Sequence, residues 1–450
     1  MTRVRLIVCG LLLTLVLNPL TSIPAEAFLA PAGPTIVYVD QSATGENDGS
    51  SWTDAYTNLY TALLIATSNM QIRVAQGTHK PGILRTHKFQ LKNNVVLYGG
   101  FPMGGSTPDE RDPVAYPTIL SGDLGNDDDP TNNNYHVVTG SGTDASAILD
   151  GFTVTGGYAD GSNPHGDGAG MLNIGGHPTV RNVVFERNTA TGFGGGMENL
   201  SSSPTLVNVT FRGNRAHNYD GGGLDNFEGS SPTLFNVVFS GNAAGRYGGG
   251  MNNDTTAGEP GSDPHLTNAT FAGNTAGTAG DAVRNTDRCQ ATLVNSILWK
   301  NDEYPVDDCA TCNSEIRYSI VQGGCPANAN CTNLISGKPL FIEDPDPGGD
   351  GVWGTDDDEY GDLRLNHGSD ALDAGDDSAI GESSSDLMGN PRPFDLAEVP
   401  DGPGGYVDLG AYEAPPSRLY VDRSALGADT GLTWSDAFGD LLDALTWSRS

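Results

Sequence analysis

Between Gly168 and Asn301 the chain restates one pattern five times, and this repetition limits its fold more than any other property. GAGMLN starts at Gly168, GGGMEN at Gly194, GGGLDN at Gly221, GGGMNN at Gly248 and a looser GDAVRN at Gly280. The period is 26 to 28 residues, lengthened to 32 where an insertion near Glu259 intervenes. Met171, Met197, Leu224, Met251 and Val283 fill one apolar position, and Asn173, Asn199, Asn226, Asn253 and Asn285 follow two residues later. Phe185, Phe211, Phe239, Phe271 and Leu298 form a second apolar column, each three residues before Asn188, Asn214, Asn242, Asn274 or Asn301.

A period of this size, made of short alternating runs such as LVNVTF and broken by Gly or Asn, is too long for hexapeptide coils. It also lacks the amphipathic helices of ankyrin or tetratricopeptide units. It predicts an all-β solenoid: a single-stranded, right-handed parallel β-helix in which each unit is one coil, stacked on the next at about 4.8 Å. Equivalent residues then form ladders. Apolar columns fill the core, Asn columns satisfy backbone groups at the bends, and Gly permits positive φ at the corners. The 61 glycines among 450 residues suit many such corners.

GGGM or GGGL followed by FxxN resembles the repeats of the polymorphic outer-membrane protein family, whose passenger regions are β-helical adhesins. Farther on, GDLRLNHGSDALDAGD (361–376), DLMGNPRP (386–393) and VDLGAYE (407–413) resemble the choice-of-anchor Q domain of bacterial surface β-helix proteins. SIVQGG (319–324) and KPLF (338–341) fit the same lineage. The resemblance implies a pectin lyase-like β-helix, secreted or on a cell surface, that binds glycans or neighbouring surfaces as an adhesin-like scaffold. A polysaccharide hydrolase or lyase acting on the β-helix face is the alternative.

The sequence divides into a signal peptide (1–27), an N-terminal cap with early coils (28–165), the regular repeats (166–301), C-terminal coils with the anchor-like region (302–413), a linker (414–417) and a last segment (418–450). Arg3 and Arg5, an apolar run from Leu6 to Leu17 and Ala25-Glu26-Ala27 make the first segment a secretory signal, too short and wrongly flanked for a spanning helix. Residues 50–68 show a helical apolar face at Ala55, Leu59, Ala62, Leu63 and Ala66, with Ser51 as the expected cap, and are expected to cover the first coil. The acidic, Gly-rich stretch 104–134 is expected to protrude. The last segment repeats the beginning: aligned without gaps, 420–445 matches 38–63 at thirteen of 26 positions. It reads as a second, shortened copy of the capping segment, with a helix expected over 435–446; the other reading is a lid on the far end of the first module.

With 23 Lys and Arg against 56 Asp and Glu, the formal charge is −33, which repels nucleic acid and anionic bilayers. Calcium is the natural partner of such a surface. DPDPGGDGVWGTDDDEYGD (344–362) offers Asp350, Asp356, Asp357 and Asp358 as its ligands, against a bland reading as a solvated loop. After the signal, Cys289, Cys309, Cys312, Cys325 and Cys331 remain. An exported protein favours disulfides, with Cys325 and Cys331 as the first pair and Cys289 with Cys309 or Cys312 as the second. No second CxxC or nearby His completes a zinc set around the CATC stretch.

For catalysis the repeat spacing offers one test. Glu198 and Asp225 occupy the same outward position in successive coils, and Asp220 lies just before a glycine triplet. Neighbours in a parallel column stand about 4.8 Å apart, close to the separation of about 5–5.5 Å that a retaining glycosidase requires. The bland alternative is that they are solubilising acids. His165, His177, His217 and His265 read as loop residues.

Overall fold

The computed structural model describes residues 33–444 except 108–109, 126–128, 302–304, 382–384, 397, 417, 428–430, 432–433 and 443. The expected signal peptide lies outside the described residues. From Thr35 to Thr332 the chain is a parallel β-helix, right-handed as parallel strand connections are. Each regular coil feeds three sheets: Met197–Leu200 enters one, Thr205–Arg212 the second and Arg215–Ala216 the third. Among the described residues these sheets hold eight, fifteen and five strands.

The register is the one the repeats dictate. Met197 pairs with Leu224 and Leu224 with Met251, while Phe211 pairs with Phe239 and Phe239 with Phe271, all without solvent exposure. The rings stack with centroids 4.9 and 4.5 Å apart. The glycine triplet makes this stacking possible. Gly194 sits at φ +60, and a Cβ on it would fall 2.8 Å from the Glu198 Cα. A Cβ on Gly195 would meet Gly222 O at 2.5 Å, and one on Gly196 the Phe211 ring at 2.9 Å. The first glycine thus serves the corner, and the next two let one coil press on its neighbour and on the Phe column.

Inside, two amide ladders consume the polar atoms. Asn199 Nδ2 donates to Asn226 and Asn226 to Asn253, each at 2.9 Å; Asn214 donates to Asn242 and Asn242 to Asn274, at 3.0 and 2.9 Å. A third ladder runs on the outer side of the long sheet: Asn208 donates to Asn182 and Asn236 to Asn208, at 3.1 and 3.0 Å, with all three residues at positive φ.

The N-terminal cap is a short helix, Leu59–Ile65, rather than one spanning 50–68. Its cap is Asn58, which accepts from Thr61 N at 3.2 Å, not Ser51. Ser51 instead donates to Asp54, and the Tyr56 backbone pairs with Tyr38, so this stretch of backbone is already committed. Leu59, Ala62 and Leu63 are buried against the first coils, as expected. The stretch 104–134 does not simply protrude: Thr118–Ser121 is a strand of the long sheet.

Beyond Asn330–Thr332, the last strand paired parallel to the coils, the chain folds back over the long sheet. Phe341, Leu363, Leu372 and Leu409 pack with Val238, Ala272, Ile297 and Ile320 of its outer face. Arg392, fully buried, fastens this region: it donates to Glu413 at 2.7 Å, to Asn236 of the third ladder at 3.0 Å and to Tyr412 O at 2.7 Å. The DLMGNPRP and VDLGAYE segments therefore meet in one buried knot.

Cys325 and Cys331 are bonded as expected, but the second disulfide joins Cys309 to Cys312. Cys289 is excluded from pairing because it ends a serine ladder. Ser202 N donates to Ser230 Oγ, Ser230 N to Ser262 Oγ and Ser262 N to the Cys289 sulfur, at 2.9, 3.2 and 3.2 Å. Burial pushes its thiol up to about 12.

Candidate functional site

Glu198 and Asp225 are register partners, yet neither is open to solvent: they are 6% and 1% exposed. The reason is again the glycine corner, whose backbone folds over the strand that follows it. A Cβ on Gly221 would lie 2.6 Å from the Asp225 Cβ. Burial, and then the mutual charge of the neighbouring acids, pushes both carboxyls well above the usual range. The two carboxyls lie within hydrogen-bonding reach of each other, and Asp225 also accepts from Asn252 at 2.8 Å. The second Glu198 carboxyl oxygen, Oε2, is buried without a partner. A pair sealed in this way cannot touch a glycosidic bond while the corner stays closed. The expectation that this column faces outward into solvent is corrected on that point.

Asp220 is buried as well, and its carboxylate has another task. It accepts from Arg246 Nε at 2.8 Å, pairs with the Arg246 Nη2 and takes Tyr247 N at 3.1 Å. Arg246 is thereby laid between two rings, 5.3 Å from the Tyr219 centroid and 5.1 Å from that of Tyr247. Phe193 stacks on Tyr219 at 5.0 Å, and Arg284, held by Asp307 at 2.7 Å, covers Tyr247 from the other side at 5.1 Å. The corner between two sheets thus carries a ladder of alternating rings and guanidinium groups over successive coils. Tyr219 is 44% exposed and Phe193 and Tyr247 are half-buried. The residues just before each glycine triplet are legible as a column; that their rings share it with arginines is not, because Tyr219 is one position out of phase.

The four acids expected to bind calcium do not form a ligand set. Asp356, fully exposed, pairs with Arg187 at 2.8 Å, whereas Asp358 accepts from Gly354 N and Thr355 N. Asp357 accepts from Gly349 N and the Thr355 hydroxyl, and Asp350 from Val352 N. Among the described residues the acids that do converge are Asp373, Asp395 and Asp401, with oxygen atoms within 4.8 Å of one another. Burial, with the two neighbouring acids adding to it, pushes Asp373 up to about 7.

The histidines act as hooks. His165 meets His136 at 3.1 Å and stacks on Tyr135 at 4.8 Å, and His177 accepts from Ser203 N at 2.9 Å. His136, buried and lowered to about 4, is not singled out by its sequence surroundings. On the outer face of the long sheet, a groove of about 520 Å³ opens between Pro113–Val114 and Leu387–Met388 over Thr153, Val184 and Thr210. Among the described residues, Asp112 is the one charged residue that lines it.

No protein-family model matches this sequence, and no curated protein matches it. Among solved structures the chain is similar to the pectate lyase Pel9A, at 15% identity and a TM-score of 0.46, over 85% of this chain and 97% of that one. It is also similar to a pectin methylesterase from carrot, at 11% identity and a TM-score of 0.30, over 68% of this chain and 79% of the other. Likeness at this level goes no further than coil architecture and carries no chemistry across.

Proposed function

We propose that the protein is a non-catalytic, exported scaffold that binds glycans along the corner formed by Phe193, Tyr219 and Tyr247. One observation carries the reading: the acids suited to catalysis are sealed, while the rings beside them are open and repeat from coil to coil. The ring faces are taken up by one another and by the two arginines, so a sugar would meet the exposed edges and the Tyr219 and Tyr247 hydroxyls, which the ladder repeats along the coils. Arg246 holds Tyr219 and Tyr247 apart and, being partly exposed, donates to hydroxyl or carboxylate groups, while Arg284 backs Tyr247. Each guanidinium is neutralised by its own acid, so binding does not depend on a basic groove. The resemblance of 361–413 to an anchor domain supports display at a cell surface, and the net charge of −33 disfavours nucleic acid as a partner.

A glycan array, run beside a polysaccharide depolymerisation screen, tests this. Binding is expected to fall at least tenfold for Tyr219→Ala and to persist for Glu198→Gln, with no polymer shortened; a tenfold loss corresponds to about 1.4 kcal/mol. Depolymerisation that disappears in the Glu198→Gln, Asp225→Asn double variant would replace the scaffold with an enzyme.

A further inference from the structure

The last described segment is not only similar in sequence to the N-terminal cap; it folds in the same way. Tyr420 N donates to Gly431 O as Tyr38 N does to Gly49 O, at 2.8 and 3.0 Å. Phe438 N donates to Tyr420 O as Tyr56 N does to Tyr38 O, both at 2.9 Å, closing the equivalent bridges Val421 to Phe438 and Val39 to Tyr56. Tyr420 and Trp434 meet at 4.9 Å and 57°, Tyr38 and Trp52 at 4.7 Å and 55°. Even the glycines agree. A Cβ on Gly431 would strike the Phe438 ring at 2.4 Å, and one on Gly49 the Tyr56 ring at 2.6 Å.

What differs is the cover. Leu59 is 1% exposed and its counterpart Leu441 60%. Val39 is fully buried and Val421 is not. Trp52 lies against Phe101 at 5.4 Å and donates to Ser106 O, while Trp434 is 66% exposed. The strand before the first bridge, Thr35–Val39, is paired along its length with Met70–Ala75; among the described residues no sheet strand lies beside 419–421. The helix expected over 435–446 is seen only at 441–442 and 444: residues 435–440 instead form a turn and the bridge at Phe438, because their backbone is committed to Tyr420, and 443 and 445–446 lie outside the described residues.

We propose that 418–444 is a second capping unit whose open face receives the first coil of another parallel β-helix. The partner is specified by what the twin already covers: an edge strand of alternating apolar residues such as Met70–Ala75, added in parallel beside 419–421 with its inner side chains against Leu441, and an aromatic ring from a further strand against Trp434, as Phe101 lies against Trp52. The tail has kept the cap's internal hydrogen bonds together with the apolar side chains that only a coil would bury. This inference is independent of the glycan reading and stands or falls without it.

The test uses the full chain and its own first coil as the probe. Replacing 38–63 by the sequence of 420–445 exchanges 26 residues for 26, without a change of length. The graft is expected to melt cooperatively within error of the natural chain, and the same graft carrying Asp in place of the leucine at position 59 is expected to lose that transition. A graft that melts no better than this Asp control overturns the proposal. In the natural chain, Leu441→Asp with Trp434→Ser should leave melting and sedimentation unchanged, because every copy's first coil is occupied by its own cap. A lowered melting temperature would show the face to be covered within the chain, and a dimer abolished by these substitutions would show a second copy seated there by other contacts. Either result overturns the proposal.

Discussion

The regular coils and the region folded over them both bury many polar atoms, but they neutralise them in different ways. In the coils the laddered amides each meet the same amide one turn away, so along a ladder donors and acceptors cancel by repetition and no charge is required. In the covering region Asp408 and Glu413 are buried carboxyls gathered near one guanidinium, that of Arg392. Burial pushes Glu413 up to about 7 even beside that cation. A ladder spreads its cost over many equivalent sites, whereas a knot depends on one residue. Damage to the ladder should therefore remain local, and damage to the knot should release a whole region.

The largest effect is expected from Arg392→Met. Removing the cation leaves Glu413 and Asp408 buried without compensation, a loss of about 3–5 kcal/mol. Unfolding in urea should split into two steps, with 338–414 becoming sensitive to protease while the coils remain folded. Phe239→Ala comes next. It opens a gap between Phe211 and Phe271 and should cost about 3 kcal/mol, within one undivided transition. If Arg392→Met also gave one undivided transition, the distinction between knot and ladder would be lost.

This difference also explains what is legible in the chain's own spacing. The repeats specify fold, register and both inner ladders, because a residue type that recurs at coil spacing must stack on itself. Even the third ladder, which the two apolar columns do not announce, has a signal: Asn182, Asn208, Asn236 and Asn268 each stand three residues before a Phe. The knot has no period, so nothing in the spacing of Arg392, Asp408 and Glu413 shows that they meet. Pairing the cysteines among themselves misplaces Cys289, whose counterpart one coil earlier is Ser262. The acids at 198 and 225 do share one column, but not the solvent environment expected of it, since the alternation of a strand does not reveal a corner folded over it.

The column that breaks the coils' rule makes the third prediction. Glu198 and Asp225 are the place where a carboxyl pair, not an amide pair, occupies adjacent turns. Their raised pKa values mean that the folded state holds protons the unfolded chain would release. Their contribution to stability is complete below the ordinary carboxylate range of about 4 and is lost as pH rises through the raised values. Glu198→Gln can donate to Asp225 without a proton to lose. The variant should match the natural chain at acidic pH and exceed it increasingly toward alkaline pH. The advantage should grow by about 1.4 kcal/mol for each pH unit between the ordinary carboxylate range and the raised value. Parallel pH profiles for the two proteins would mean that the pair is not protonated in the fold.

The smallest effect is expected from calcium, and it separates the covering region's two acidic places. In the loop, the acids from Asp350 to Asp358 already accept backbone N–H groups or pair with Arg187, so an ion there would have to displace existing bonds. Asp373, Asp395 and Asp401 point oxygen atoms at one another, and a divalent ion would take the place of the proton that Asp373 otherwise requires. Binding to the folded state alone adds RT ln(1 + [L]/Kd), about 1.4 kcal/mol at ten times the Kd. Calcium should therefore raise the melting temperature slightly. The increment should vanish with a chelator or in the Asp395→Asn, Asp401→Asn double variant, and survive Asp356→Asn. If Asp356→Asn abolished it instead, the loop would be the ligand set and its hydrogen bonds would have to rearrange around the ion. An increment indifferent to both variants would assign calcium to the remaining acidic surface, where it acts by screening alone.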